Sequence, residues 1–155
     1  MKVGDLMTRE VVTVTPDTQI SEFCRLMQET GLAGVPVVDG EGRLVGIVSN
    51  RDVLANQMAS TETEPVHTDI HELLGPRYVT LDENSGPRIA LWIDEIMTRD
   101  PVTVTPDDPL ESAADLIIRH RVHRLPVIDG PDRRVVGMIS TFDFVRLAAG
   151  GEGAG

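Results

Sequence analysis

Residues 46–52 read GIVSNRD and residues 137–143 read GMISTFD. Each has a glycine, two apolar residues, a serine, two variable residues and an aspartate. A serine followed three residues later by an acid can cap a helix: the hydroxyl accepts one free backbone N–H, and the carboxylate reaches back to another. The same carboxylate can accept two hydrogen bonds from a vicinal diol such as a ribose. A helix start also presents unpaired N–H groups and partial positive charge, which suits a phosphate. Gly46 and Gly137 remove a side chain beside the segment and leave room for a ligand to approach. Ser49 with Asp52, and Ser140 with Asp143, therefore serve as caps, as the polar end of a small-molecule site, or as both. His123-Arg124, between a predicted helix and a predicted strand, reads either as a solvated polar turn or as a local cation. A guanidinium binds phosphate bidentately, and a chain of net charge −11 needs a local cation to hold an anion.

These residues are positioned by a repeat. DLMTREVVTVTPD (5–17) aligns with EIMTRDPVTVTPD (95–107), and VPVVDG (35–40) with LPVIDG (125–130). One extra residue enters the second copy in the turn PDRR, where the first has EGR, and Gly46, Ser49 and Asp52 then align with Gly137, Ser140 and Asp143. VVTV (11–14) and VTV (102–104) are β-branched and predict strands. Ile20, Phe23, Cys24 and Met27, and likewise Leu110, Ala113, Ala114 and Ile117, fall at the spacing of one buried helix face. Asp108-Pro109-Leu110-Glu111 reads as a helix start with Asp108 as the cap and Pro109 in the first turn. VPVVD and LPVID predict short strands in which Pro36 and Pro126 mark a start or an edge. LVGIV (44–48) and VVGMI (135–139) predict third strands, and second helices follow from Ser49 and Ser140.

The predicted fold is α+β: two β-α-β-β-α repeats, residues 1–57 and 93–149, packed with pseudo-twofold symmetry. A unit of that length is marginal alone, so the two bury their open faces against each other. Residues 58–92 do not repeat and are acidic. A short helix is expected there from Asp69 through Leu74, stopped by Gly75-Pro76. The tail, 150–155, is expected to be disordered.

Aromatics make up only 3% of the 155 residues, so the core must be aliphatic, with Met7, Met27, Met58, Met97 and Met138 as filler. The net charge of −11 argues against a general nucleic-acid surface and against an acidic membrane surface. The run IALWI near Trp92 is far too short to span a bilayer. A single cysteine, Cys24, cannot form a disulfide framework and points to a reducing, cytoplasmic compartment; MKVGDLMTRE lacks the apolar stretch of a secretory signal. Cys24 reads as a buried, inert thiol. His67 and His71 have the spacing of a helical metal pair, but no third ligand is evident. No nucleophile–base pair, Walker loop or zinc-hydrolase spacing is present, so neither catalysis nor a cofactor is expected.

The doubled MT-x-x-x-V-T-V, the P-V-[VI]-D-G turn and the G-x-[VI]-S-x-x-D segment resemble the cystathionine-β-synthase (CBS) domain, here as a tandem pair or Bateman module over roughly 1–57 and 93–149. The resemblance implies a regulatory module that binds adenosine-containing ligands: AMP, ADP, ATP or S-adenosylmethionine. It places the motif's Asp on the ribose hydroxyls, its Ser near phosphate, and a His-Arg pair on phosphate. Each site takes its Ser and Asp from one repeat and its base contacts from the other. One site then holds Ile47, Ser49, Arg51 and Asp52, facing Val122, His123 and Arg124. The other holds Met138, Ser140 and Asp143, facing Leu32, Ala33 and Gly34. Thr8, Thr13, Thr98 and Thr103 match positions lining the base and phosphate region. The first site is expected to bind nucleotide more tightly. The second, lacking a local arginine, is expected to hold an uncharged adenosine-type ligand or nothing. The resemblance also implies a homodimer acting in trans on a protein partner that the sequence does not name. The alternatives are a ligand-free dimerisation module and, less favoured, a metal or redox sensor using His67, His71 and Cys24.

Overall fold

The computed structural model describes residues 1–60 and 90–151. Most of the acidic insert, with the helix expected from Asp69 and the His67–His71 pair, lies outside the described residues, as does the tail beyond Gly151. In chain order the elements are α1 (Val3–Leu6), α2 (Ile20–Thr30), β1 (Gly34–Val38), β2 (Leu44–Ser49), α3 (Asn50–Ser60), α4 (Ile93–Ile96), β3 (Thr98–Arg99), α5 (Leu110–His120), β4 (Arg124–Asp129), β5 (Arg134–Ser140) and α6 (Thr141–Ala148). This is a mixed α and β chain with two small antiparallel sheets, β1-β2-β3 and β4-β5.

The two copies repeat in detail. Helix α2 buries Ile20, Phe23 and Cys24, and α5 buries Leu110, Ala113 and Ile117. Gly31 closes α2 in a left-handed conformation, and Arg121 closes α5 in the same one at φ 53°. Each hairpin has a register shift at the same place, between Val37 and Val38 and between Val127 and Ile128. Gly34 pairs with Ser49 in the first hairpin, and Arg124 with Ser140 in the second. Gly150 and Gly151, assigned to the tail by the sequence, instead close α6, donating to the carbonyls of Leu147 and Arg146.

Two expectations are corrected. The strands read from VVTV and VTV shrink to single parallel bridges, Val14 to Val37 and Val104 to Val127. The chain turns immediately afterwards at Thr15-Pro16 and Thr105-Pro106, where Thr18 Oγ1 accepts the Thr15 N–H (3.1 Å) and the Asp108 carboxylate accepts that of Thr105 (2.7 Å). Asp108 is thus spent on the turn, and the cap of α5 is Pro109 in an extended conformation.

The two cores each contain a piece of the other repeat. Val3, Leu6 and Met7 pack among Val104, Ala113, Leu125 and Ile139, whereas Ile93 and Met97 pack among Phe23, Val35, Val37 and Val48. Each repeat has therefore sent its leading helix into its neighbour. Val3 donates to the Asp108 carbonyl and Gly4 to that of Pro106; Ile93 and Asp94 donate to Thr18 and Pro16, all at 2.9 Å. Burying each of these apolar side chains is worth about 1.5–3 kcal/mol. The chain then adds to the partner sheet, with Thr98 paired to Ile47 and Thr8 bridged to Met138.

This exchange changes the role of the motif glycines. A Cβ on Gly46 would lie 2.8 Å from the Thr98 carbonyl oxygen and 2.9 Å from Met97 Sδ; on Gly137 it would lie 2.5 Å from Met7 Sδ and 3.0 Å from the Thr8 oxygen. Their absent side chains make room for the exchanged segment rather than for a ligand. Gly137→Ala should therefore lose about 1–3 kcal/mol in urea unfolding. Gly40→Ala, where nothing lies within 4 Å, should stay within about 0.5 kcal/mol of the parent.

Candidate functional site

A cleft of about 450 Å³ opens between the halves. Its walls are Thr8 and Glu10–Val12, the stretch Gly31–Pro36 at the start of β1, and Arg124, Met138, Ser140, Phe142, Asp143 and Arg146. The second repeat supplies the polar end and the first repeat most of the apolar wall.

Asp143 is set by the strand-to-helix turn. Its Oδ2 accepts both the backbone N–H and the hydroxyl of Ser140, each at 2.8 Å. Its Oδ1 accepts Arg146 Nη2 at 3.0 Å. The residue is only 5% exposed, so a desolvated carboxylate stands at the cleft with its charge compensated by one guanidinium. Arg146 Nε is buried and finds no acceptor among the described residues.

Arg124 begins β4 directly opposite Ser140. Its side chain crosses to the first repeat, where Nη1 donates to the Gly34 carbonyl at 3.1 Å. Gly34 is the repeat-equivalent position of Arg124 itself. A methyl group on Gly34 would lie 2.7 Å from Nη1 and 3.2 Å from Ser49 Cβ, so the bare glycine lets the guanidinium lie across the pseudo-twofold axis. Arg124 forms no ion pair among the described residues, and burial pushes its pKa below the ordinary arginine value.

Of the residues singled out by sequence, Thr8, Leu32, Ala33, Gly34, Met138, Ser140 and Asp143 line this one cleft. The expectation that it lacks an arginine is corrected: Arg124 and Arg146 both line it. Arg124 had been placed on the Ser49 side, but β-pairing holds its backbone beside Ser140, and its side chain has only a glycine to cross. The remaining residues are placed in pieces. The Asp52 carboxylate accepts the Ser49 N–H (2.8 Å) and hydroxyl (3.1 Å), Ile47 pairs with Thr98, and Arg51 is exposed. Val122 packs against the second core, and His123 is exposed while its carbonyl accepts the N–H of Thr141. Thr13 is exposed and Thr103 partly buried. Glu10, Val11, Val12, Val35, Phe142 and Arg146 were among those missed. Arg146 had a signal: it sits three residues after Asp143 on the same helix, where side chains meet.

Other features are chemically quieter. A more open hollow beside Trp92 is bordered by Asp17, Asp94 and Glu95, an acidic rim unsuited to phosphate. Cys24 is buried, which pushes its thiol pKa up and disfavours the reactive thiolate. No described helix is long and apolar enough to cross a membrane.

The two motif acids should differ in stability. Asp52→Ala removes a cap and should cost about 1 kcal/mol. Asp143→Ala also strands a half-buried guanidinium and should cost about 2–4 kcal/mol, read as a larger fall in the urea midpoint. Equal losses would contradict the Arg146 pairing.

The comparisons with known proteins come down on one family. The CBS domain model matches residues 3–59 and 93–150. Among curated relatives, the chloroplastic CBS domain-containing protein CBSX1 of Arabidopsis thaliana is 31% identical over 94% of this chain and 63% of its own length. Inosine-5'-monophosphate dehydrogenase of Methanocaldococcus jannaschii is 28% identical over 94% of this chain but only 23% of its own. The chain thus spans under two thirds of these relatives. Among solved structures, CBSX2 in complex with AMP is 28% identical with a TM-score of 0.72 and 96% of both chains covered. The CBS domain pair of protein MJ0100, in complex with 5-methylthioadenosine and S-adenosyl-L-methionine, is 25% identical with a TM-score of 0.72 and 97% of both chains covered. With the doubled hairpins, the exchanged leading helices and the Ser-x-x-Asp turns, these matches make the chain a member of the CBS-domain family, carrying two such domains in tandem.

Proposed function

We propose that this chain is a regulatory module that senses an adenosine-containing ligand in the cleft at Ser140 and Asp143. The observation that carries the reading is the pairing, in one cavity, of a buried carboxylate with an arginine that no acid among the described residues neutralises. The carboxylate can accept the two hydroxyls of a ribose once Arg146 yields Oδ1, and Arg124 can take a phosphate. Val11, Val12, Leu32 and Val35 supply apolar wall for a base. CBSX2 in complex with AMP, and the MJ0100 pair in complex with adenosyl compounds, support the ligand class.

The role is non-catalytic. Ligand binding would shift the relative geometry of the two repeats, and it does so only by its differential affinity for two states. The output passes to a second copy of the chain or to another protein. Leu54 and Val145, at equivalent positions in the two repeats, are 54% and 63% exposed and offer apolar surface for a two-chain assembly.

A thermal-shift series against AMP, ADP, ATP and S-adenosylmethionine tests the reading. A binding ligand at about 100 times its Kd adds about 2.7 kcal/mol to stability and should raise Tm by several degrees. Asp143→Asn should abolish most of that shift, and Asp52→Asn should leave it in place. A chain that responds to none of the four ligands is a ligand-free assembly module, in which the two Ser–Asp turns act as helix caps alone.

A further inference from the structure

The buried Asp143 carboxylate has a limited capacity. An ionised carboxylate offers about four lone-pair positions. Those of Oδ2 are taken by the Ser140 N–H and hydroxyl, each at 2.8 Å, and one of Oδ1 by Arg146 Nη2 at 3.0 Å. Among the described residues no further donor reaches it, so room for one more hydrogen bond is left. A ligand that offers a single hydroxyl can use that room with Arg146 in place. A vicinal diol offers two, and the second can bond only where a present donor gives way.

Arg146 is the donor built to yield. It is held through one Nη, not in the two-bond fork that makes a guanidinium–carboxylate pair strong. Its Nε is buried and finds no acceptor among the described residues. Gly151 lies close over its stem, where a Cβ would stand 2.7 Å from Arg146 Cγ, so the outer guanidinium rather than the whole side chain is free to swing. The first repeat shows that the turn itself does not need this arginine. Ser49 and Asp52 make the same two bonds, at 2.8 and 3.1 Å, with Ala55 where Arg146 stands. Arg146 is therefore surplus to the turn, and it lines the cleft that a ligand would enter.

We propose that Arg146 is an internal competitor for the ribose: it holds the place of one hydroxyl on Asp143, so that a diol enters the Ser140 cleft only by evicting it, whereas a single hydroxyl binds beside it. This rests on the sensing function proposed above and makes Arg146 the residue that sets the ribose selectivity of that site. The bond lost to the guanidinium offsets the bond gained by the second hydroxyl, so the intact chain is nearly blind to the 2′-hydroxyl.

Isothermal titration of the full chain with adenosine, and separately with 2′-deoxyadenosine, tests the proposal. The wild-type chain should bind the two within about threefold of each other. Arg146→Met, which keeps an apolar stem, should raise the preference for adenosine to at least about tenfold. A second readout needs no variant and stands should Arg146→Met fold poorly. In the isotope-labelled wild-type chain, the Arg146 Nε–H resonance should move on adding adenosine and stay in place with 2′-deoxyadenosine. Arg146→Met weakening both nucleosides alike would mark a merely structural arginine and overturn the competition. So would a strong wild-type preference for adenosine, or an Nε–H resonance that bound adenosine does not move; either result leaves the sensing function standing. Binding of neither nucleoside would instead remove the sensing function itself, and the competition with it.

Discussion

The molecule depends on an exchange. Each repeat gives up its leading helix to the other, and the buried side chains Val3, Leu6 and Met7 on one side, Ile93 and Met97 on the other, complete cores that neither repeat closes alone. Because the exchange is reciprocal, it fixes the two halves about a pseudo-twofold axis. It also dictates Gly46 and Gly137, since the crossing backbone passes where their side chains would stand. The residues that follow each exchanged helix, Thr8 and Thr98, are delivered to the strand that ends in a Ser-x-x-Asp turn. The cleft is a by-product of that crossing: its wall from Thr8 to Val12 belongs to one repeat and its polar end to the other.

Symmetry makes two such places, and single residues then make them unlike. Asp143 is tied to Arg146, whereas the position equivalent to Arg146 is Ala55 and Asp52 is held, among the described residues, by Ser49 alone. The larger break is at the axis, where a glycine faces an arginine. The guanidinium leans into the space left by the glycine, so an inequality of one residue becomes an inequality of charge around the two Ser-x-x-Asp turns. In a chain this acidic, partly buried cations such as Arg124 and Arg146 are where an anion is favoured.

Much of the fold was legible because repetition amplifies weak local signals. The helix faces at Ile20, Phe23 and Cys24 and at Leu110, Ala113 and Ile117 were read from spacing and are buried. The hairpins and the Ser–Asp turns also lie where their motifs put them. The exchange was not legible, because two four-residue helices carry no periodicity to announce which core they enter. For the same reason the motif glycines were credited to a ligand rather than to Met7 and Met97. Arg124 was placed opposite Ser49 by the family resemblance, and its presence in the wall of the Ser140 cleft as well was not foreseen. A long side chain opposite a glycine can cross an axis, and only coordinates show that it does. The wall Val11–Val12 was hidden by the expectation of a regular strand there.

The most direct measurement is a titration of the isotope-labelled full chain with AMP, followed by backbone amide chemical shifts. If the Ser140 cleft is the sensing site, the largest changes cluster at 8–12, 32–36, 124 and 138–146. Changes centred instead on 47–52 and Thr98, with 138–146 still, would contradict that placement.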